Sequence, residues 1–385
     1  MKRSTDRILT THVGALPIPE GIWGEAADDS AISKAVQDVV ARQRSANIDL
    51  VNEGELTKGG NWVVYVNSRL SGFEPGDTGA TASIFMHGKD WQEFEDFYRA
   101  ALAGGTLFEQ TRSAPNSVQP RQTDFVCTKP IEYAGKAALQ REIDLLRNAL
   151  NGSEPSDAFL TSTAPASIEV GRLNRYYKTD EEYVYALAEA LRFEYEAIVD
   201  AGFVVQVDDA WLPALWDRIG VEMGLDAYKR YCMMRVEALN YALRNVPEHK
   251  VRYHLCWGSW HGPHAFDIPM ADIVDIMLSV KAQTYLFEAA NARHEHEYVI
   301  WEDVKLPEGK ILAPGVVSHA TALIEHPELV SQRIQRFAKR VGRENVIAST
   351  DCGLGLRCHP QIAWAKLNAL SEGAALASRE LGYGI

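Results

Sequence analysis

A histidine and a cysteine stand two residues apart in the stretch YHLCWGSWHGPH, residues 253–264, at the end of an apolar run. In an extended strand, residues two apart point to the same side, so the His254 imidazole and the Cys256 thiol face one region. Both groups are ligands that zinc accepts in proteins. Two ligands cannot close a zinc site, so the rest of the chain has to supply the others.

Further chemically active side chains follow other short, β-branched runs. They are Glu55, Asp208, Asp209, Glu288, Ser318, His319, Asp351 and Cys352. With Glu288 and Cys352 added, the set becomes one imidazole, two thiolates and a carboxylate, which suits tetrahedral zinc. The alternative is that the cysteines are small buried hydrophobic residues and that His254 is an ordinary core histidine. The pattern by itself leaves both interpretations open.

Short β-branched runs alternate with amphipathic helical stretches along the chain, which predicts parallel strands joined by crossover helices. The predicted strands are residues 8–13, 48–53, 158–162, 203–208, 250–256, 283–288, 311–316 and 346–351. Eight such units predict an α/β fold, a (β/α)8 TIM barrel, whose active sites lie at the carboxyl ends of the strands. An open doubly wound sheet is the alternative, but GALPIPEG is not the glycine-rich phosphate fingerprint of that class.

The gap between the second and third predicted strands is far too long for one crossover. We interpret residues 56–157 as an insertion after strand 2, with a hairpin and lid elements. It contains a strand-like piece, TDFVCTKPIEYAG, and a charged helix near residues 137–150. Because no linker or low-complexity tract divides the chain, residues 1–385 are expected to form a single barrel domain.

The composition excludes several classes of partner. The 385 residues are 46% hydrophobic and 24% charged, as in an ordinary globular protein. A formal net charge of −13 disfavours nucleic acid and anionic membranes, and no apolar run is long enough to span a bilayer. Five scattered cysteines and no recognisable export signal favour reduced thiols and a cytoplasmic location. Small molecules are therefore the expected partners, and a homo-oligomer stays open.

Three motifs resemble the zinc motifs of the catalytic barrel of cobalamin-independent methionine synthase. They are HLC at 254–256, YLFEAANAR around Glu288 and STDCGLGLR around Cys352. THVGALP at 11–17, LVNEGE at 50–55 and VVQVDDAW at 204–211 resemble other motifs of that family, in the same order. The resemblance spans nearly the whole chain, although the second, N-terminal barrel of the full methionine synthase has no counterpart here.

The resemblance implies a role for each matching residue. Zinc would be bound by His254, Cys256, Glu288 and Cys352, and the thiol substrate would meet Asp208, Glu55 and the backbone of Gly14 and Ala15. Two departures count against methionine synthesis itself. Ala15 replaces the serine that in the family helps to hold homocysteine, and TSTAPASIEV lacks the tryptophan associated with folate stacking.

The single-barrel length and the C-terminal motifs are more similar to the epoxyalkane:coenzyme M transferase branch of the family. The resemblance therefore implies a zinc-dependent transferase that alkylates a small thiol at sulfur, with a small alkyl or methyl donor. Methyl transfer from a methyltetrahydrofolate-type donor to homocysteine is one alternative. A metal-free barrel resembling uroporphyrinogen decarboxylase and a non-catalytic metal-binding barrel are two others.

Two further residues are candidates for the chemistry. His319, after the seventh strand, would donate a proton to an opened epoxide, because histidine titrates near neutral pH. Arg357 follows the Cys352 motif and could clamp a carboxylate or sulfonate through paired hydrogen bonds, as could Arg293. Their alternatives are an uninvolved loop histidine and ordinary ion pairs. The run RHEHEY at 293–298 is expected to be a solvated charged loop.

Overall fold

The computed structural model describes residues 1–19, 22, 28–58, 62–76, 88–107 and 125–384. Its strands are β1 Leu9–Thr10, β2 Phe73–Pro75, β3 Phe125–Cys127, β4 Phe159–Thr163, β5 Arg172–Asn174, β6 Val204–Asp209, β7 Val251–Leu255, β8 Thr284–Phe287, β9 Ile311–Val317 and β10 Ile347–Thr350.

The α-helices are α1 Asp29–Ser45, α2 Trp62–Arg69, α3 Lys89–Glu93, α4 Glu95–Gly104, α5 Lys136–Leu150, α6 Pro165–Glu169, α7 Asp180–Asp200, α8 Trp211–Ala214, α9 Val221–Met223, α10 Leu225–Ala242, α11 Met270–Leu278, α12 Pro327–Val341 and α13 Pro360–Glu380. Short 3-10 turns cover Pro155–Asp157, Glu248–Lys250, Glu295–Glu302 and Arg343–Asn345, and a π-helical turn covers Trp216–Gly220. Among the described helices, none combines the length and the apolar composition needed to cross a membrane.

The main sheet contains seven parallel strands in the order β1-β10-β9-β8-β7-β6-β4. Residues 49–51 fill the gap between its two edges. Asp49 N and Leu50 N each donate to Thr10 O at 3.1 Å, and Phe159 N donates to Val51 O at 3.0 Å. The sheet thereby curls into a ring, and the predicted α/β TIM-barrel class is confirmed.

The helices pack around the outside of this ring through apolar stripes, as α12 illustrates. Proline begins α12 at a position where its missing N–H costs nothing. Val330, Ile334 and Phe337 recur at helical spacing and are buried. Gly342, with a φ of +90°, ends the helix because a side chain there would be strained. Such helices carry each strand back to the same end of the ring.

The described part of residues 56–157 contains both predicted pieces. The strand-like piece forms β3, and the charged helix is α5, which packs against α1 and α7 in the outer helical layer. β2 pairs antiparallel with β3, and β3 pairs in parallel with β5, which lies beyond residue 157. The lid function and the single-domain boundary stay predictions.

Candidate active site

The four predicted zinc ligands lie together at the carboxyl ends of β7, β8 and β10. The ligand atoms of His254, Cys256 and Cys352 are all within 4.8 Å of one another. Glu288 Oε1 lies 3.7 Å from Cys256 Sγ, and the two Sγ atoms are also 3.7 Å apart. Cys352 is partly exposed and the other three side chains are buried.

The two distances measured from Cys256 Sγ match two edges of a tetrahedral zinc site. Zinc with Zn–S bonds of about 2.3 Å requires a sulfur–sulfur edge of about 3.8 Å, and a Zn–O bond of about 2.1 Å requires a sulfur–oxygen edge of about 3.6 Å. The observed edges at Cys256 are both 3.7 Å. His254 Nε2 is buried and has no hydrogen-bond partner among the described residues. The donor set is therefore the one that zinc prefers.

The carboxylate of Glu288 is held in place from both sides. Trp257 N donates to Oε1 at 3.0 Å, and Asn291 Nδ2 donates to Oε2 at 2.7 Å. Gly258 N donates to Cys256 Sγ at 3.2 Å, which supports a thiolate there. Burial raises the pKa of Glu288 to about 7. A metal cation would offset that cost by favouring the ionised carboxylate.

The imidazole of His254 is oriented by a carboxylate on the neighbouring strand. Asp208 on β6 is the register partner of His254 on β7, and Asp208 Oδ1 lies 2.8 Å from His254 Nδ1. Gln206 Nε2 donates to the same oxygen at 2.8 Å. Burial lowers the pKa of His254, but Asp208 and Cys352 outweigh it and raise that pKa to about 10. The contact fixes Nδ1 as the protonated nitrogen and leaves Nε2 for a metal.

Replacing Asp208 by asparagine should weaken zinc binding about 10- to 100-fold, the usual effect of losing a partner that orients a ligand. The amide cannot supply the negative charge that holds the Nδ1 proton. Competition with a chromophoric zinc chelator measures the effect, and Asp303→Asn, at an exposed aspartate, is the matched control. Equal zinc affinity in the two variants would contradict the assignment.

Glu288 belongs to a second group of buried side chains, separate from the group of His254, Cys256 and Cys352. The ligand atoms of Glu288, His319 and Asp351 lie within 4.8 Å of one another. Asp351 Oδ1 accepts from Ala289 N at 2.7 Å and Ala290 N at 2.8 Å, so it ties the end of β10 to the turn that carries Glu288. Burial lowers the pKa of His319 to about 3, so its imidazole is neutral at neutral pH.

Two predicted substrate contacts, Gly14 and Glu55, lie side by side. A Cβ atom on Gly14, whose φ is +142°, would fall 2.3 Å from Glu55 Oε1. Glycine is therefore required for the two to approach. Burial, followed by repulsion from Asp208 and Glu53 and opposed by Lys58, raises the pKa of Glu55 to about 8. The carboxyl groups of Glu55 and Asp208 thus face one region beside the candidate metal ligands.

The other predicted substrate contacts lie on adjoining loops. Ala15 O accepts from Leu354 N and Gly355 N, both at 2.9 Å, so the first loop supports the loop after Cys352. Arg357 Nε donates to Ser259 Oγ at 3.3 Å. Arg357 also lowers the pKa of His319, after the larger effect of burial, which places its charge near that imidazole.

The RHEHEY run differs from its expected solvated loop. His296 is exposed, but His294 is only 3% exposed. Its Nδ1 lies 2.8 Å from Glu297 Oε2 and its Nε2 lies 3.2 Å from Asp267 Oδ2. The expectation is wrong for His294, because these two carboxylates replace its water. Arg293, an alternative anion clamp, is exposed and donates to Ala265 O.

The sequence did not reveal the residues that hold the candidate ligands in place without binding a metal themselves. Asn291 and Gln206 hold the Glu288 and Asp208 carboxylates, as described above. Lys58, 3% exposed, donates to Thr161 Oγ1 at 2.6 Å beneath Glu55. A signal for Gln206 was available, because it lies two residues before Asp208 and therefore on the same face of one strand.

The family model described as cobalamin-independent synthase, catalytic domain, matches residues 163–375. The chain belongs to this family. The match takes in the carboxyl ends of β7, β8 and β10 and all four candidate ligands.

Relatives in the cobalamin-independent synthase family are distant in sequence but similar in length. The methionine synthase of Saccharolobus solfataricus is 23% identical, with 98% of this chain and 97% of the relative covered. That of Sulfurisphaera tokodaii is 21% identical, with 97% and 93% covered. A B12-independent methionine synthase from Shewanella sp. W3-18-1, solved with selenomethionine, superposes with a TM-score of 0.70 at 17% identity, covering 97% of this chain and 99% of its own. The last comparison supports the fold alone.

Proposed function

We propose that this protein is a zinc-dependent transferase that alkylates a small thiol at its sulfur atom. The observation that carries the proposal is the cluster of His254, Cys256 and Cys352 ligand atoms within 4.8 Å of one another, with Glu288 Oε1 3.7 Å from Cys256 Sγ. Within the described part of the chain, His254 Nε2 has no hydrogen-bond partner. When bound there, zinc lowers the pKa of the substrate thiol, so that the sulfur is a nucleophilic thiolate near neutral pH. Membership of the cobalamin-independent synthase family supports the same chemistry.

The charges beside the metal ligands indicate which thiol is bound. Glu55 and Asp208 present two carboxyl groups to the region next to Gly14, and a substrate ammonium group would favour the ionised form of both. Arg357 supplies a cation for the anionic end of the same molecule. An amino-acid thiol such as homocysteine satisfies both ends, and the names of the curated methionine synthase relatives agree with it.

His319 is suited to carry the proton of the thiol. Its buried imidazole is neutral at rest, and the nearby charge of Cys352 favours the protonated ring, so one ring nitrogen is placed to accept the proton that the thiol loses on binding. Once protonated, the ring can donate to the leaving group or to a new alkoxide. In this proposal the proton comes from the substrate, whereas the sequence-based hypothesis has His319 donate a proton that it already holds.

A second candidate acceptor is coenzyme M, as in the epoxyalkane:coenzyme M transferase branch. Ala15 favours it, because the residue lacks the hydroxyl that in the family helps to hold homocysteine. Arg357 could bind a sulfonate as well as a carboxylate. Against it, coenzyme M has no cation to place between Glu55 and Asp208. The alkyl donor, a cytoplasmic location and a homo-oligomer stay predictions for either candidate.

Zinc-edge X-ray absorption with added thiols tests the proposal and separates the candidates. We expect two sulfur neighbours at zinc in the resting protein and a third when the correct thiol is added. Homocysteine, coenzyme M and glutathione are compared, with methionine as a control that has no thiol. A protein without bound zinc, or a spectrum that none of the thiols changes, would refute the function.

A further inference from the structure

Helices α3 and α4 lie against the loop that follows the zinc ligand Cys256. The carboxylate of Asp90, on α3, accepts from His264 N at 3.1 Å and from Ala265 N at 2.8 Å. It accepts a third hydrogen bond, of 2.6 Å, from the hydroxyl of Tyr98 on α4. Asp90 is 3% exposed, so one buried charge gathers donors from two separate parts of the chain.

Two other contacts join the same segments. Trp260 Nε1 donates to the Tyr98 hydroxyl at 3.0 Å, and His261 N donates to Leu107 O at 2.6 Å. The loop from residue 259 to 265 is therefore attached to residues 88–107 at four places along its length. Loops are usually more mobile than the helices and strands that they connect, and these four contacts restrain the position of this loop.

The attached loop reaches the proposed anion-binding residue. Ser259 Oγ accepts from Arg357 Nε at 3.3 Å. The His261 imidazole donates a hydrogen bond to the backbone carbonyl of Arg357. Burial followed by the Arg357 charge lowers the pKa of His261 to about 4. A path of direct contacts thus runs from Asp90 through the loop to Arg357.

We infer that Asp90 is a positioning residue, which docks residues 88–107 onto the loop after Cys256 and thereby sets the place of Arg357 at the anionic end of the thiol. The part about the thiol rests on the proposed function, whereas the docking itself does not. This gives the predicted insertion a function: it orders a substrate-binding loop without contributing a metal ligand.

Hydrogen exchange read by mass spectrometry on the zinc-loaded protein tests the docking. In Asp90→Asn, one acceptor oxygen becomes an N–H group facing a donor, so the amides of residues 259–266 should exchange at least tenfold faster than in the wild type. Zinc content should equal that of the wild type. Asp96→Asn, at an exposed position on α4, is the matched control and should leave exchange unchanged. Unchanged exchange of the loop in Asp90→Asn would overturn the inference.

Tyr98→Phe keeps the docking testable if Asp90→Asn does not fold. It removes only the hydroxyl between Asp90 and Trp260, and the loop should again exchange faster, by about threefold or more, with peptides of β7 and β8 unaffected. Acceleration spread evenly over the whole chain would count against docking, since it would indicate general destabilisation.

Isothermal titration with homocysteine tests the link to Arg357. The dissociation constant should rise at least fivefold in Asp90→Asn at equal zinc content. An unchanged constant would overturn the link. If homocysteine and coenzyme M both fail to bind the wild type, the proposed function fails, while the exchange result still decides the docking.

Discussion

Cys256→Ala should abolish both stoichiometric zinc and turnover. The Cys256 thiolate is the atom that lies 3.7 Å from both Glu288 Oε1 and Cys352 Sγ. Without it, the candidate ligands are an imidazole, one thiolate and a carboxylate held by Trp257 and Asn291. Structural zinc sites owe their affinity to a complete ligand set, so the expected loss of affinity is several orders of magnitude. Metal analysis after gel filtration measures zinc, and a thiol-alkylation assay measures turnover.

Cys358→Ala is the matched control for Cys256→Ala. Cys358 is also buried, but its Sγ lies 3.6 Å from His319 O and outside the group of ligand atoms. Its replacement should leave zinc at the wild-type level. A Cys256→Ala protein with one zinc per chain and full turnover would disprove the site, and loss of zinc in both variants would point to misfolding instead.

His319→Ala should lower turnover about 10²- to 10⁴-fold, the usual contribution of a positioned acid–base group. Zinc content should be unchanged, because His319 is not one of the four ligands. The steady-state rate and metal analysis on the same sample check both statements. His296→Ala removes an exposed histidine and serves as the control. Wild-type kinetics in His319→Ala would remove its role, and lost zinc would make it a metal ligand.

The fold was accessible from the sequence because its strands are short, buried and β-branched. The predicted strand at 203–208 is β6, Val204–Asp209, and the one at 250–256 contains β7, Val251–Leu255. The second predicted strand, 48–53, forms only an isolated bridge at Val51. The apolar pattern of this segment correctly places it in the barrel wall. The number of hydrogen bonds that it forms depends on the adjacent strands, which the pattern of one segment does not describe.

The site was less accessible, because its supports come from contacts between distant segments. The spacing of His254 and Cys256 on one strand gave half of the candidate ligand set directly. The contact between Asp208 and His254 requires the register of two strands, which the sequence does not contain. His294 is buried against Asp267, which lies in another loop. The charged run alone therefore gave the wrong prediction that this histidine is solvated.

Residues 49–51 close the barrel with less strand pairing than β7 and β8 have. β7 and β8 are paired on both sides along their length, and they carry His254 and lead to Glu288. Glu55 instead follows a segment that pairs with its neighbours only through an isolated bridge at Val51 and a few backbone hydrogen bonds. Thermal fluctuations of the backbone should therefore be larger beneath Glu55 than beneath the candidate metal ligands. Under the proposed function, such a difference would let the Glu55 side of the cleft adjust to different thiols while the candidate metal ligands keep their positions.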